Sequence, residues 1–398
     1  MTRNRLVGVL FLAFLLAALA STAFATESRV AALGGRGIWL RDDSNVSYFP
    51  GTIVRYNERA ISELRFKDAT EDSYTIGVHF PVQETNVFGV YLNSPIDLPV
   101  FPDDEERGNM FAQVSPTDLL NNASYEQTLT FYYGMPMSSF DFAVGLTVGL
   151  DSYKNDPGSN DVEESTRYIA VSAGLSNEKM DLGLQIDLPG QKWESGDNEQ
   201  TWGGVGLGVA GRFFLGEEGE TRIVPVCGFG YSPTTYEVKS GGNSMETDLS
   251  EMDLLLGVAV NKPINEKNLI ILGLELFGYH TAKMEDSDPD LSATRTVMTL
   301  PGFYVGFESQ IQKWLTGRIG AVERFQSTKY LWEGDGVDDY EITMRDSDLD
   351  ITFGLSMEFK RFVLDAVINE DLLFDGPNFV SGTTEVMANR LSVSYLWD

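Results

Sequence analysis

Cysteine is nearly absent. Cys227 is the only one in 398 residues, so no intramolecular disulfide can form. It sits among Ile223, Val224, Val226 and Phe229, a setting that predicts a buried, unreactive thiol. Histidine is almost as scarce: His79 and His280 are the whole supply, and neither lies near a nucleophile motif. A hydrolase needs a nucleophile with a base beside it, so no catalytic residue is nominated. Basic residues are also short, 29 Lys and Arg against 59 Asp and Glu, for a formal net charge of -30. That balance excludes nucleic acid as a partner, because phosphate binding needs basic surface. After Ala25 no apolar run is long enough for a transmembrane helix, and helical periodicity is almost missing. A chain of this kind can reside in a membrane only as a closed barrel, which satisfies every backbone group in lipid.

What is present begins with a secretory signal. Arg3 and Arg5 form a short basic region, Leu6 to Ala20 an apolar one, and Ala23-Phe24-Ala25 a cleavage site. Residues 1–25 are therefore read as a cleaved signal peptide, with the mature start at Thr26 and export to the outer membrane as the expectation.

Alternation with period two then recurs. Phe140, Phe142, Val144, Leu146, Val148 and Leu150 share one face, opposite Asp141, Ala143, Gly145, Thr147, Gly149 and Asp151. The same contrast holds through Leu349 to Phe359 and Met180 to Asp187. Strands of about ten residues suit a tilted crossing of a bilayer, with lipid outside and a polar lumen inside. A soluble periplasmic β-protein, the alternative, uses shorter strands.

Short joins such as Ser176–Lys179, Gln312-Lys313 and Lys360-Arg361 alternate with long polar stretches. The long ones, including Pro95–Ser124, Ser232–Ser250, Lys283–Thr296 and Asn369–Ala388, read as external loops carrying most of the acidic charge. Tyr133, Phe140, Phe213, Phe214, Trp314, Phe359, Phe362 and Trp397 cluster near the short joins, as an interfacial girdle would. The fold class is thus all-β, a transmembrane antiparallel up-and-down barrel over residues 61–398. Counting from Val87 gives 14 strands; Ile61–Phe66 and Tyr74–Val82 would make 16.

Residues 26–60 do not alternate. Their Ala32-Leu33-Gly34-Gly35-Arg36-Gly37, the Asp42-Asp43 pair and Tyr48-Phe49-Pro50-Gly51 resemble the opening of FadL-like and PorV-like outer-membrane barrels. The Asn and Ala of that family's aromatic-Asn-Pro-Ala-Gly motif are missing here. The resemblance extends to Phe353-Gly354-Leu355, Asp365-Ala366 and the final Arg390 to Tyr395. It implies 14 strands, an N-terminal segment folded into the barrel as a plug or hatch, and passage of hydrophobic compounds. The 14-strand count is preferred on that ground. Gly34, Gly35, Arg36, Asp42 and Asp43 are the plug candidates, with Arg36, Arg41, Asp42 and Asp43 expected to pair with lumen charges.

The lumen charges themselves come from alternation. Asp141, Asp181, Asp187, Arg212, Asp253, Glu275, Glu308, Arg318, Asp350, Glu358 and Asp365 all fall on the small-residue side of their strands. Charges in a membrane segment must face a lumen or pair with each other. They form either a structural ionic network or the lining of a selective pathway. Gly206-Leu207-Gly208-Val209-Ala210-Gly211 matches a dinucleotide fingerprint, but no helix follows, so its glycines read as cleared lumen positions. Acidic triplets such as Asp346, Asp348 and Asp350 lack a complete calcium loop. No cofactor and no metal site is assigned, weak divalent-cation binding in the acidic loops aside. Expected partners are outer-membrane lipid and the barrel-assembly machinery, which would read the alternating C-terminal strand ending at Trp397. The function read from this is a channel or transporter for small compounds; the alternative is a non-conducting barrel that docks surface partners.

Overall fold

The computed structural model describes residues 26–35, 37–66, 73–83, 85–93, 127–155, 162–217, 219–287, 290–334, 340–368 and 388–397. The signal-peptide stretch, Arg36 and Pro95–Ser124 lie outside them.

Among the described residues, seventeen strands form one closed antiparallel sheet. They are β1 (Arg59–Arg65), β2 (Ser73–Val82), β3 (Asn86–Leu92), β4 (Thr128–Pro136), β5 (Asp141–Asn155), β6 (Val162–Ser176), β7 (Met180–Ser195), β8 (Asn198–Gly204) and β9 (Gly206–Phe213). The rest are β10 (Arg222–Ser240), β11 (Asn243–Asn265), β12 (Asn268–Ser287), β13 (Asp290–Gln312), β14 (Leu315–Gly334), β15 (Tyr340–Phe359), β16 (Phe362–Ile368) and β17 (Ala388–Leu396). Closure is made by β1, which pairs with both β2 and β17. β8 and β9 run on one line: both pair with β7 and with β10, in unbroken register on either side of Val205. The wall therefore has 16 courses, one of them interrupted. Pro189 and Pro233 flank the interruption, and neither has the N–H that a ladder requires.

The preferred count of 14 is thus corrected to 16. β1 and β2 are wall strands, with Arg59, Ile61, Glu63 and Arg65 of β1 alternating inward.

The outward face is apolar because hydrocarbon is its solvent. Val144, Leu146 and Leu150 are exposed, while Ala143 behind them is wholly buried. Cys227 is also on this exposed outer face, not buried as expected, since Val224, Val226 and Gly228 take the inward positions of β10. Trp314 and Phe359 stack near the short joins, and Phe362 packs on Tyr395 at 4.7 Å. Phe214 departs from this girdle: it turns inward, 4% exposed, beneath the Arg41 guanidinium.

Of the long stretches expected to be loops, Pro95–Ser124 and residues 369–387 lie outside the described residues, while Ser232–Ser250 and Lys283–Thr296 are strand over much of their length. Ser232–Ser240 and Asn243–Ser250 continue the β10–β11 ladder to a two-residue turn at Gly241-Gly242. Both turn glycines have positive φ, +57° and +88°, as the tight hairpin turn demands. β10 to β15, interrupted course aside, hold 19 to 23 residues each, whereas β1, β3 and β16 hold 7. Among the described residues the tallest part of the wall is therefore β10 to β15.

Candidate functional site

Residues 26–57 occupy the lumen at the short-join end. They comprise α1 (Glu27–Ala32), capped by the Thr26 side chain, and three 3-10 turns over Gly37–Trp39, Asp43–Val46 and Pro50–Tyr56. Asp42 and Asn45 cap the second turn reciprocally. Val30, Ile38, Trp39, Val46, Phe49 and Ile53 are nearly inaccessible to solvent.

The wall receives this segment on glycines. A Cβ at Gly174 would lie 2.8 Å from Pro50, one at Gly134 2.6 Å from Ile53, and one at Gly306 2.9 Å from the Leu33 carbonyl. Trp39 likewise sits over Gly257, and Gly34 over Gly320. The inward glycine stripe is a seat cut for the backbone of the segment.

Ion pairs fasten it. Asp181, fully buried, accepts from Arg41 at 2.8 Å, from Arg212 at 2.8 Å and from the Ser176 hydroxyl at 2.6 Å. Arg212 also donates to the carbonyls of Gly37 and Leu40 and lies over the Phe49 ring. Glu308 accepts from Arg29 of α1 at 2.7 Å and from Arg318 at 2.6 Å. Arg318 reaches Asp365, which accepts the Thr26 hydroxyl at 2.9 Å. Arg59 of β1 holds Asp43 at 2.6 Å, and Arg65 grips Glu27 with two hydrogen bonds. Ser392 of β17 bridges Ser28 and Glu63. Burial pushes the Asp43 carboxyl up to about 8, against the pull of Arg59 and with a further push from Asp42.

Five of the eleven nominated lumen charges, Asp181, Arg212, Glu308, Arg318 and Asp365, meet in this seat. Asp141 faces Arg55 at 3.7 Å, and Glu358 is half-buried near the same end. The others stand farther along the lumen. Asp187 packs on Gly206, Asp253 pairs with His280 at 2.9 Å, and Glu275 accepts from the Tyr304 hydroxyl at 2.7 Å. Asp350 is exposed on β15. Of the plug candidates, Gly34 and Gly35 end α1 with positive φ, Asp42 pairs with Arg29 inside the segment, and Asp43 pairs with the wall. Arg29, Arg59, Glu63, Arg65 and Ser392 were not nominated. Alternation in β1 is the signal that marks Arg59, Glu63 and Arg65 as inward.

A cavity of about 30 Å³ lies between segment and wall, lined by Asp43, Glu63, Thr75, Tyr91 and Tyr132. A larger one, about 260 Å³, opens at the short-join end beside Arg41, Tyr56, Phe214 and Arg222. Among the described residues no cluster of three or more metal-ligating side chains occurs.

No family model matches the chain, and no curated protein matches it. Solved structures are similar at low identity. The toluene transporter TodX of Pseudomonas putida aligns with a TM-score of 0.35 and 10% identity, over 95% of this chain and 99% of that one. The alcaligin outer-membrane receptor FauA of Bordetella pertussis gives 0.36 and 6%, over 86% and 76%. OmpT, an outer-membrane protein of Vibrio cholerae, gives 0.29 and 12%, over 85% and 96%.

Proposed function

We propose that the chain is an outer-membrane barrel with its short joins in the periplasm. It passes small compounds when its N-terminal segment leaves the seat. The ionic character of the seat carries this reading. Hiding paired charges costs about as much as their attraction returns, so the segment is held in one register with modest net free energy. Water entering on release would solvate both partners of each pair, and the opposing cost is the exposure of Ile38, Trp39 and Phe49 and of the Val224, Val226 and Leu255 they pack with. A 16-course cylinder is wide enough to conduct unless something fills it, since side chains alone close only about eight strands.

Planar-bilayer recording tests this. Wild type should be mostly closed with brief openings, and Arg29→Ala combined with Arg41→Ala should lengthen the open periods. Silence in both would leave the non-conducting docking barrel, a reading favoured by the tall paired strands β10 to β15. Assembly-machinery recognition of the C-terminal strand and residence among outer-membrane lipids belong to the same proposal.

A further inference from the structure

The outward face carries an aromatic row at the short-join end of β14 to β17. The Trp314 and Phe359 rings stack 6.4 Å apart, Phe362 lies 4.7 Å from Tyr395, and Tyr395 lies 6.0 Å from Trp397. Register sets Phe359, Phe362 and Tyr395 side by side across β15, β16 and β17. Along the same face come Met357, Leu355 and Phe353 on β15, and Leu364 and Ala366 on β16. Rings at one level with aliphatic side chains beyond them mark where headgroups give way to acyl chains.

The joins beside this row differ in charge from the rest. Elsewhere the short joins carry Glu84, Glu178, the Glu217, Glu218 and Glu220 group, and Glu266, or, at Met137–Ser139, no charge at all. The β13–β14 join instead holds Lys313, and the β15–β16 join Lys360 and Arg361, with no acid in either. The Glu358 N–H donates to the Trp314 carbonyl at 2.9 Å, which brings the two joins together. Lys313 precedes Trp314 and Lys360 follows Phe359, whose rings stack, so both ammonium groups can reach one phosphate. The Glu358 side chain takes the inward face, opposite buried Val363, and Asp398 lies outside the described residues. Higher on the wall Lys154, Lys192, Lys239, Lys283 and Lys329 each meet a glutamate. Neither Lys313 nor Lys360 is in an ion pair among the described residues, and the Lys360 ammonium has no acceptor there.

We infer that this arc binds an anionic phospholipid of the leaflet on the short-join side. Lys313 and Lys360 hold the phosphate, and the acyl chains lie along Phe359, Leu355 and Phe362. A headgroup with its own ammonium gains less, because no outward carboxylate stands beside the two lysines among the described residues. Each lysine near an anionic lipid favours binding about fivefold. The inference rests on the barrel reading above and is independent of conduction.

The test places the full chain in phosphatidylcholine vesicles that contain brominated phosphatidylglycerol or, in a parallel set, brominated phosphatidylcholine at the same mole fraction. Bromine quenches tryptophan on contact, so Trp314 and Trp397 report the lipid beside them, while Trp39 inside the lumen stays silent. Wild type should prefer the phosphatidylglycerol by about fivefold or more. Lys313→Gln with Lys360→Gln should bring the preference near parity, with folding checked by heat-modifiable migration. Lys262→Gln with Lys267→Gln removes as much charge from the region that also carries Glu266, and should leave the preference intact. Equal quenching by the two lipids in wild type, a preference that survives the first double variant, or one lost equally in the second would overturn the inference. Protein that inserts without preference loses only this inference. Protein whose tryptophans neither lipid quenches is not in the bilayer, and the barrel reading falls with the site.

Discussion

At the scale of single residues, Arg212 is the most informative. Its guanidinium serves Asp181, two carbonyls of the N-terminal segment and the Phe49 ring at once, with no exposure to solvent. Arg212→Ala should destabilise the folded protein by about 3 kcal/mol, the low end for a broken buried pair, because Asp181 keeps Arg41 and Ser176. Arg212→Lys should not rescue it. A single ammonium cannot span carboxylate and carbonyls while stacking on an aromatic face. Urea unfolding in lipid vesicles checks both, and full rescue by lysine would mean that charge alone matters. The inward position of Arg212 was legible in the sequence from the alternation of its strand. Its partners were not, because alternation says which face a side chain takes and nothing about which distant segment lies over it.

At the scale of elements, the wall glycines decide how closely the segment can approach. Gly174→Ala and Gly306→Ala each place a methyl within 3 Å of backbone or proline atoms, which should cost about 1–3 kcal/mol and loosen the segment. Gly203→Ala, whose Cβ meets nothing nearer than 3.6 Å, is the control. Trypsin sensitivity at Arg29 and Arg41 reports the loosening; unchanged protection in all three would show that the glycines do not set the fit. Strands inside the hydrocarbon were legible because lipid outside and water inside impose opposite demands on neighbouring residues. Beyond the membrane that contrast disappears. Ser232 to Ser250 is polar on its outer face and mixed on its inner one, so it reads as loop although every residue outside its turn is paired. β1 and β2 were undercounted for a related reason: Arg59, Glu63 and Arg65 face a seat full of charge, which blurs the apolar signal.

At the scale of the molecule, the two solvents predict opposite tolerances on one strand. Val144→Arg on the lipid face should destabilise by about 2–4 kcal/mol, while Thr147→Arg, whose hydroxyl faces Thr130 inside, should be borne more easily. Equal effects in a vesicle-refolding assay would mean that the band does not face lipid. The seat has a further consequence, one of timing. Thr26 holds Asp365 and Ser28 holds Ser392, contacts that join positions 339 and 364 residues apart in the chain. Those partners come into line only when β16 and β17 have paired and β17 has closed on β1. The start of α1 must then wait for the last strands, although Arg41 and Arg29 find Asp181 and Glu308 on β7 and β13 without them. Closing the wall and fixing the N-terminus of α1 thus become a single event.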